Sequence, residues 1–372
     1  MSKAFFDKLS GQVPAFFTGA NSGVGFYSCF DDIYDPFEGD RFYILKGGPG
    51  TGKSTLMKKT AVFMAELGES LELCYCSSDP DSLDAVIFKE AGAAIADGTA
   101  PHVMEAKYPG VCERVIALGD CLDCDMLEGL AGEVLPLFKA NSELHKKASR
   151  FIKASAGLLD DSFAIDCECT ALDKAQTLAE RMAASLFPKA GDIPGRETRR
   201  FLSGITPKGL VFFESTLTLL CDRIFAVEDD YGGSASVIMS VLRARALEKG
   251  LDIITCPCAL SPQRKIDHII IPSLKLAVCT SNSYMPVETA TERRIHARRF
   301  RESAKLREHR QRLSFNKKAA GELLAEACKL LAEAKSVHDM IEHFYVEAMD
   351  FSLADRMAAK IQKELAVRYG QA

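Results

Sequence analysis

Residues 47–55 read Gly47-Gly48-Pro49-Gly50-Thr51-Gly52-Lys53-Ser54-Thr55, and this stretch decides the fold. Its spacing satisfies G-x-x-x-x-G-K-[ST] at Gly47, Gly52, Lys53 and Ser54. Backbone N–H groups can wrap a phosphate only where no side chain intrudes, and glycine tolerates the left-handed turns such a wrap needs. The pattern therefore assigns residues 47–55 to the phosphates of a nucleoside triphosphate, with ATP the first expectation. Lys53 is expected to reach the β- and γ-phosphates and the Ser54 hydroxyl to ligate Mg²⁺. The flanks agree. Asp40-Arg41-Phe42-Tyr43-Ile44-Leu45-Lys46 is a short β-rich run, and residues 54–67 carry apolar side chains at helical spacing up to a stop at Gly68. The order is strand, glycine loop, helix.

With these residues the chain resembles the P-loop NTPases, a superfamily of α/β proteins. The resemblance implies a central parallel sheet flanked by helices, and a second motif in which an apolar strand ends in an Asp that holds Mg²⁺ through water. Ala93-Ala94-Ile95-Ala96-Asp97 fits that motif, so Asp97 is the candidate metal and catalytic residue; Asp120, after Val115-Ile116-Ala117-Leu118, is the rival. Many ATPases of the class place Glu directly after this Asp, whereas Gly98 stands here. The water-activating group must then come from elsewhere, and Asp79 is chosen from Asp79, Asp81 and Asp84, which follow the apolar run 71–76. Ser77-Ser78-Asp79-Pro80-Asp81-Ser82 is equally good turn chemistry, and the two readings are compatible. His102, just beyond the Asp97 strand, is read either as a phosphate contact or as a capping or packing residue.

The chain also repeats itself. Asp40-Arg41-Phe42-Tyr43 returns as Asp222-Arg223-Ile224-Phe225, and without a gap Met57 falls on Met239, Gly68 on Gly250, Cys74 on Cys256 and Cys76 on Cys258. Gly25 meets Gly209, and Glu180-Arg181-Met182-Ala183-Ala184 returns as Asp355-Arg356-Met357-Ala358-Ala359. The copies diverge at the chemistry. Gly47 and Gly48 face Asp229 and Asp230, Gly52 faces Ser234, Lys53 faces Ala235, Asp79 faces Ser261 and Asp97 faces Thr280. Two carboxylates where phosphate oxygens would lie predict a second half unable to hold Mg-nucleotide.

These residues, with GFYS at 25–28, LKGGPGTGKSTLMKK at 45–59, DGTAPH at 97–102 and SGITPKGL at 203–210, resemble an uncharacterised bacterial family of tandem two-P-loop-domain ATPases. That resemblance implies two tandem α/β domains, each followed by a helical appendage, and here the second loop is degenerate. Residues 1–190 are read as the competent domain and 196–372 as the degenerate repeat, divided at Pro188-Lys189-Ala190-Gly191-Asp192-Ile193-Pro194-Gly195. The helical stretches 135–186 and 313–367 either pack on each other across the halves or cover their own sheets.

Composition narrows the class. Hydrophobic content of 47% with 26% charged residues describes a chain with ample core, and no apolar run approaches the roughly 18 residues of a membrane span. Thirteen cysteines without an export signal read as reduced thiols of a cytoplasmic protein. Cys74/Cys76 and Cys256/Cys258 have strand spacing and are read as core fillers. In a chain of net charge −5, residues 293–318 are strongly basic. A solvated face of one helix, a site for nucleic acid or another polyanion, and donation of an arginine to the nucleotide of the other half are the three readings. The functional expectation is an Mg-dependent ATPase with one competent site. A small-molecule phosphotransferase and a nucleotide-gated nucleic-acid-binding protein are the alternatives.

Overall fold

The computed structural model describes residues 3–100, 103–188 and 193–370. The first half runs α1 (Lys3–Ser10), β1 (Ala15–Phe17), β2 (Gly19–Ser22), β3 (Gly25–Ser28), β4 (Arg41–Lys46), α2 (Lys53–Glu66), β5 (Leu71–Tyr75), β6 (Leu83–Phe88), β7 (Ala93–Asp97), β8 (Glu113–Ala117), α3 (Cys124–Gly129), α4 (Ala131–Glu168) and α5 (Leu172–Leu186). The second runs β9 (Glu197–Arg199), β10 (Ser203–Thr206), β11 (Gly209–Phe212), α6 (Ser215–Leu220), β12 (Arg223–Glu228), α7 (Gly233–Glu248), β13 (Ile253–Pro257), β14 (Ile266–Ile271), β15 (Leu276–Ser281), β16 (Arg293–His296), α8 (Ser303–Glu308), α9 (Arg310–Glu347) and α10 (Phe351–Tyr369).

Each half builds a six-stranded sheet, in the order β1-β5-β6-β7-β4-β8 and, reversed, β9-β13-β14-β15-β12-β16. The correspondence extends to register. Leu45 pairs with Asp97 as Val227 pairs with Thr280, and both sheets shift register at one place, between Cys74 and Tyr75 and between Cys256 and Pro257. The hairpins β2-β3 and β10-β11 also match.

The sheets are mixed rather than parallel, which corrects the expectation of a central parallel sheet. β6 runs antiparallel to both β5 and β7, and β14 to both β13 and β15. The cause is loop length. Residues 76–82 and 89–92 are too few for a helical crossover, so consecutive strands must turn back as hairpins. The apolar strands are buried on both faces. Tyr43, Leu45, Leu73, Val86 and Ile95 face one side, and Phe42, Ile44, Cys74, Ala85 and Ala94 the other.

The halves exchange helices. α10, from the end of the chain, packs Ala354, Ala358, Ile361 and Leu365 against Met57, Ala61 and Met64 of α2 on the first sheet. Reciprocally, α5 sets Ala175, Ala179, Met182 and Ala183 against Ile238, Met239 and Leu242 of α7 on the second. Polar anchors fix both. Glu364 accepts from Tyr43 Oη at 2.8 Å, and Glu180 binds Arg245 through both carboxylate oxygens at 2.8 and 2.9 Å. The long helices α4 and α9 meet through Ala148 and Ile152 against Leu324, Ala327 and Leu331. The reading in which each helical stretch covers only its own sheet therefore does not hold. The spans 1–190 and 196–372 hold one sheet each, and each carries the helix that closes the other.

The two sheet edges are tied by reciprocal backbone bonds between Phe17 and Phe201, both 2.8 Å, and by a buried ion pair between Glu72 on β5 and Arg200. Burial alone would push the Glu72 carboxyl up, but Arg200 and Lys89 outweigh it and hold its pKa at about 2. Since the unfolded carboxyl titrates at 4.5, the unfolded chain binds more protons in the interval between. Stability from this pair is complete above pH 4.5 and is lost as pH falls towards 2. A melting series over that range should show the loss, and Glu72→Gln, already destabilised at neutral pH, should respond less steeply to acid.

Candidate functional site

β4 delivers the chain into residues 47–52, and α2 begins at Lys53 with Gly52 as its N-cap at φ 82°. Only glycine takes that conformation without strain, so the spacing of Gly52 before Lys53 fixes where the helix starts. The N-terminal amides of α2 then point out of the loop with the positive end of the helix dipole behind them. Lys53 folds back over the loop. Its Nζ donates to the carbonyls of Gly47 (2.8 Å) and Gly48 (2.7 Å) and lies 3.6 Å from Asp97 Oδ2. Thr51 Oγ1 donates to Gly48 O at 2.8 Å and closes the turn.

Asp97 ends β7, the direct neighbour of β4, and its Oδ1 accepts from the backbone N–H (2.9 Å) and hydroxyl of Thr99. Asp120 lies on an exposed turn after β8 and does not line the cavity that the loop faces. Between the two candidates the geometry favours Asp97. Ser54 Oγ accepts from the Leu83 N–H at 3.0 Å, which occupies one lone pair and leaves the hydroxyl another. A hydroxyl and a carboxylate on one cavity wall are hard oxygen donors of the kind Mg²⁺ prefers, so Ser54 and Asp97 fit that ion.

The absence of Glu after Asp97 has a packing cause: a Cβ at Gly98 would lie 2.4 Å from Ile44 Cγ2. Asp79 sits in the turn between β5 and β6, where Oδ1 accepts from Asp81 N at 3.3 Å and Oδ2 from Ser82 Oγ at 2.7 Å. The turn reading of Asp79 thus holds, and its carboxylate also lines the cavity, 3.6 Å from Lys335 Nζ. His102 lies outside the described residues.

Loop, Asp79 and Asp97 open into a cavity of about 1160 Å³ whose far wall comes from α4 and α9. Asn141, His145, Lys146 and Arg150 project from α4, and Lys335, His338 and Glu342 from α9. Local sequence does not point to these residues, because nothing in a helical stripe says which loop it will cross. Lys335 binds Asp339 besides Asp79; burial would lower its pKa, and the two carboxylates outweigh that and raise it. Burial, with the nearby His338, lowers the pKa of His145. The helix α9 also crowds the loop. A Cβ at Gly48 would come within 2.5 Å of Tyr345, and one at Gly50 within 2.7 Å of the Glu342 carbonyl. The small residues of the loop therefore answer to a helix of the other half as well as to any phosphate.

The second loop keeps the strand-loop-helix path but is closed from within. α7 starts at Gly233 with Gly232 as N-cap at φ 95°, so only residues 229–232 separate it from β12, against residues 47–52 in the first half. Asp229 turns its carboxylate into this short loop. Oδ1 accepts from Gly232 N at 2.9 Å and Oδ2 from Ala235 N at 3.0 Å, while Asp166 of α4 accepts from Gly233 N at 2.9 Å. Arg301 bridges both acids at 2.6 Å, and both carboxylates are fully buried. Burial raises the pKa of Asp166 despite the arginine. Amides that would hold a phosphate already hold carboxylates.

Two expectations change here. The Asp230 carboxylate does not turn into the loop beside that of Asp229; it accepts from Ser283 N at 2.9 Å and lies 3.8 Å from Lys317. The basic stretch 293–318 is not a single helix but runs through β16, α8 and the start of α9. Much of its charge is spent internally: Arg294 on Glu228, Arg312 on Asp161, and Arg301, the arginine best placed to reach a loop, on Asp166 and Asp229 of the second loop rather than on the first site. The cysteines are free thiols; Cys74 and Cys256 are buried core fillers as expected, whereas Cys76 and Cys258 are only half-buried and Cys76 lines the cavity. Among the described residues no helix is long and apolar enough to cross a membrane.

No protein-family model, curated protein or solved structure gives a significant match to the chain.

Proposed function

We propose that the chain binds one Mg-nucleoside triphosphate, ATP in the first instance, at residues 47–55 and hydrolyses it, while the second half serves as a closed scaffold. The observation that carries this reading is the convergence of Lys53, Ser54 and Asp97 on a glycine loop that opens into a large cavity. In the reaction, a water oxygen bonds to the γ-phosphorus as the bond to the bridging β–γ oxygen breaks, giving nucleoside diphosphate and phosphate. Lys53 exchanges its two carbonyl partners for phosphate oxygens, and with the loop amides it holds the charge that grows there. Asp79, fixed by Ser82 and Lys335, orients the water and takes its proton. Ser54 and Asp97 would hold Mg²⁺, which would supply further neutralisation of the phosphates.

Phosphate release from ATP with and without Mg²⁺ tests this reading. Asp97→Asn should lower Mg²⁺ affinity or turnover by about 10–100-fold, the usual loss for a group acting through a metal's bound water. Asp120→Asn should leave both unchanged. The reverse pattern would move the metal to the wrong side of β4 and sink the assignment.

A phosphotransferase is the second reading, and the cavity favours it specifically. Its volume exceeds the roughly 300–1,000 Å³ of most small-ligand sites, and Lys146 and Arg150 stand on the wall opposite the loop, where an acidic acceptor would sit. ATP consumption that stays negligible until a metabolite extract is added would select this reading over hydrolysis.

A further inference from the structure

A second cavity, of about 540 Å³, lies where α8 meets the first turns of α9. Among the described residues, Arg298, Arg301, Arg307, Arg310 and Lys317 line it together with Tyr231, and no carboxylate does. Two of these cations are already engaged, Arg301 with Asp166 and Asp229, and Lys317 with Asp230. Arg307 donates through Nε to the Ser303 carbonyl, and Arg298 and Arg310 make no ion pair among the described residues. Three guanidinium groups thus share one concavity without a counter-charge among those residues, in a chain whose overall charge is −5.

The backbone adds to this field. Arg310 is the first residue of α9, a helix of 38 residues whose N-cap, His309, contributes no side-chain hydrogen bond. The positive end of the helix dipole coincides with the arginines, an arrangement unfavourable for the free helix and favourable once an anion is present. Guanidinium forks suit phosphate oxygens, which they bind in pairs.

We propose that this cavity is a binding site for a small multiply phosphorylated ligand, separate from the site at residues 47–55. Concavity favours a compact ligand over a nucleic-acid strand. The aromatic ring at this site, Tyr231, already carries Arg301 over its face at 5.0 Å, so it offers little to a stacked base. Among the described residues the site holds no hydroxyl and carboxylate pair like Ser54 and Asp97, and its ligand is bound by charge without Mg²⁺.

Titration calorimetry with inorganic tripolyphosphate, without Mg²⁺ and on the Lys53→Ala chain, isolates this site from the first. One binding event is expected, weakening with added salt. Arg298→Ser with Arg310→Ser should reduce its affinity by at least about tenfold while leaving the melting temperature in place, since both side chains are exposed and outside any ion pair among the described residues. Absence of binding to the Lys53→Ala chain, or affinity indifferent to the two arginines, would overturn the proposal. So would a short single-stranded RNA that binds through the same arginines more tightly than tripolyphosphate, because the occupant would then be nucleic acid.

Discussion

Arg301→Ala is expected to destabilise the protein by about 3–5 kcal/mol, because it strips the bridging cation from two fully buried carboxylates. Asp166 and Asp229 would face each other in the closed loop with backbone N–H groups left to hold them. With a midpoint shift of roughly 2–4 °C per kcal/mol in a unit of this size, the melting temperature should fall by about 10 °C. The loss should shrink as pH drops into the carboxylate range, where protonation removes the stranded charge. Asp166→Asn in the same chain should recover part of it. A melt of Arg301→Ala indistinguishable from the parent would mean that the buried triad does not close the second loop.

Lys53→Ala should act in the opposite way, on function and not on stability. Its Nζ bonds to loop carbonyls and lies beside Asp97, and Lys53 belongs to neither apolar cluster of the first sheet. Removing a preorganised cation from the developing phosphate charge typically lowers turnover by about 10²–10³-fold, and that is the expected fall. Circular dichroism and melting should be unchanged. A folded Lys53→Ala chain with parental turnover would remove the loop from the chemistry.

The glycine loop, its flanking strand and helix, and the internal repeat are all legible in the amino-acid sequence. Each is a matter of local spacing: Gly52 fixes the start of α2, and the match of Cys74 with Cys256 foretells even the paired register shifts. The direction of β6 is also within reach, since residues 76–82 leave no room for a crossover helix, but the superfamily resemblance points to a parallel sheet instead. The exchange of α5 and α10 is not legible. An apolar stripe such as Ala354, Ala358, Ile361 and Leu365 shows that a helix is covered on one side without saying by which sheet. The closure of the second loop lies between these cases. Asp229 can be seen at its entrance, whereas Asp166 comes from α4 and Arg301 from beyond β16. A signal exists, because Asp166 falls on the same buried face as Ile152, Ser155 and Ser162, where an acid needs a cation. Nothing local says that Arg301 is that cation.

Asymmetry between two copies of one fold is the centre of this account. The first loop brings a lysine and hard oxygen donors to a cavity; the second has a shortened version of the same path with amides filled by Asp229 and Asp166. Titration calorimetry with Mg²⁺ and a non-hydrolysable ATP analogue addresses that difference directly. One Mg-dependent binding event per chain is predicted, abolished by Lys53→Ala. A second Mg-dependent event of comparable affinity that survives Lys53→Ala would contradict it.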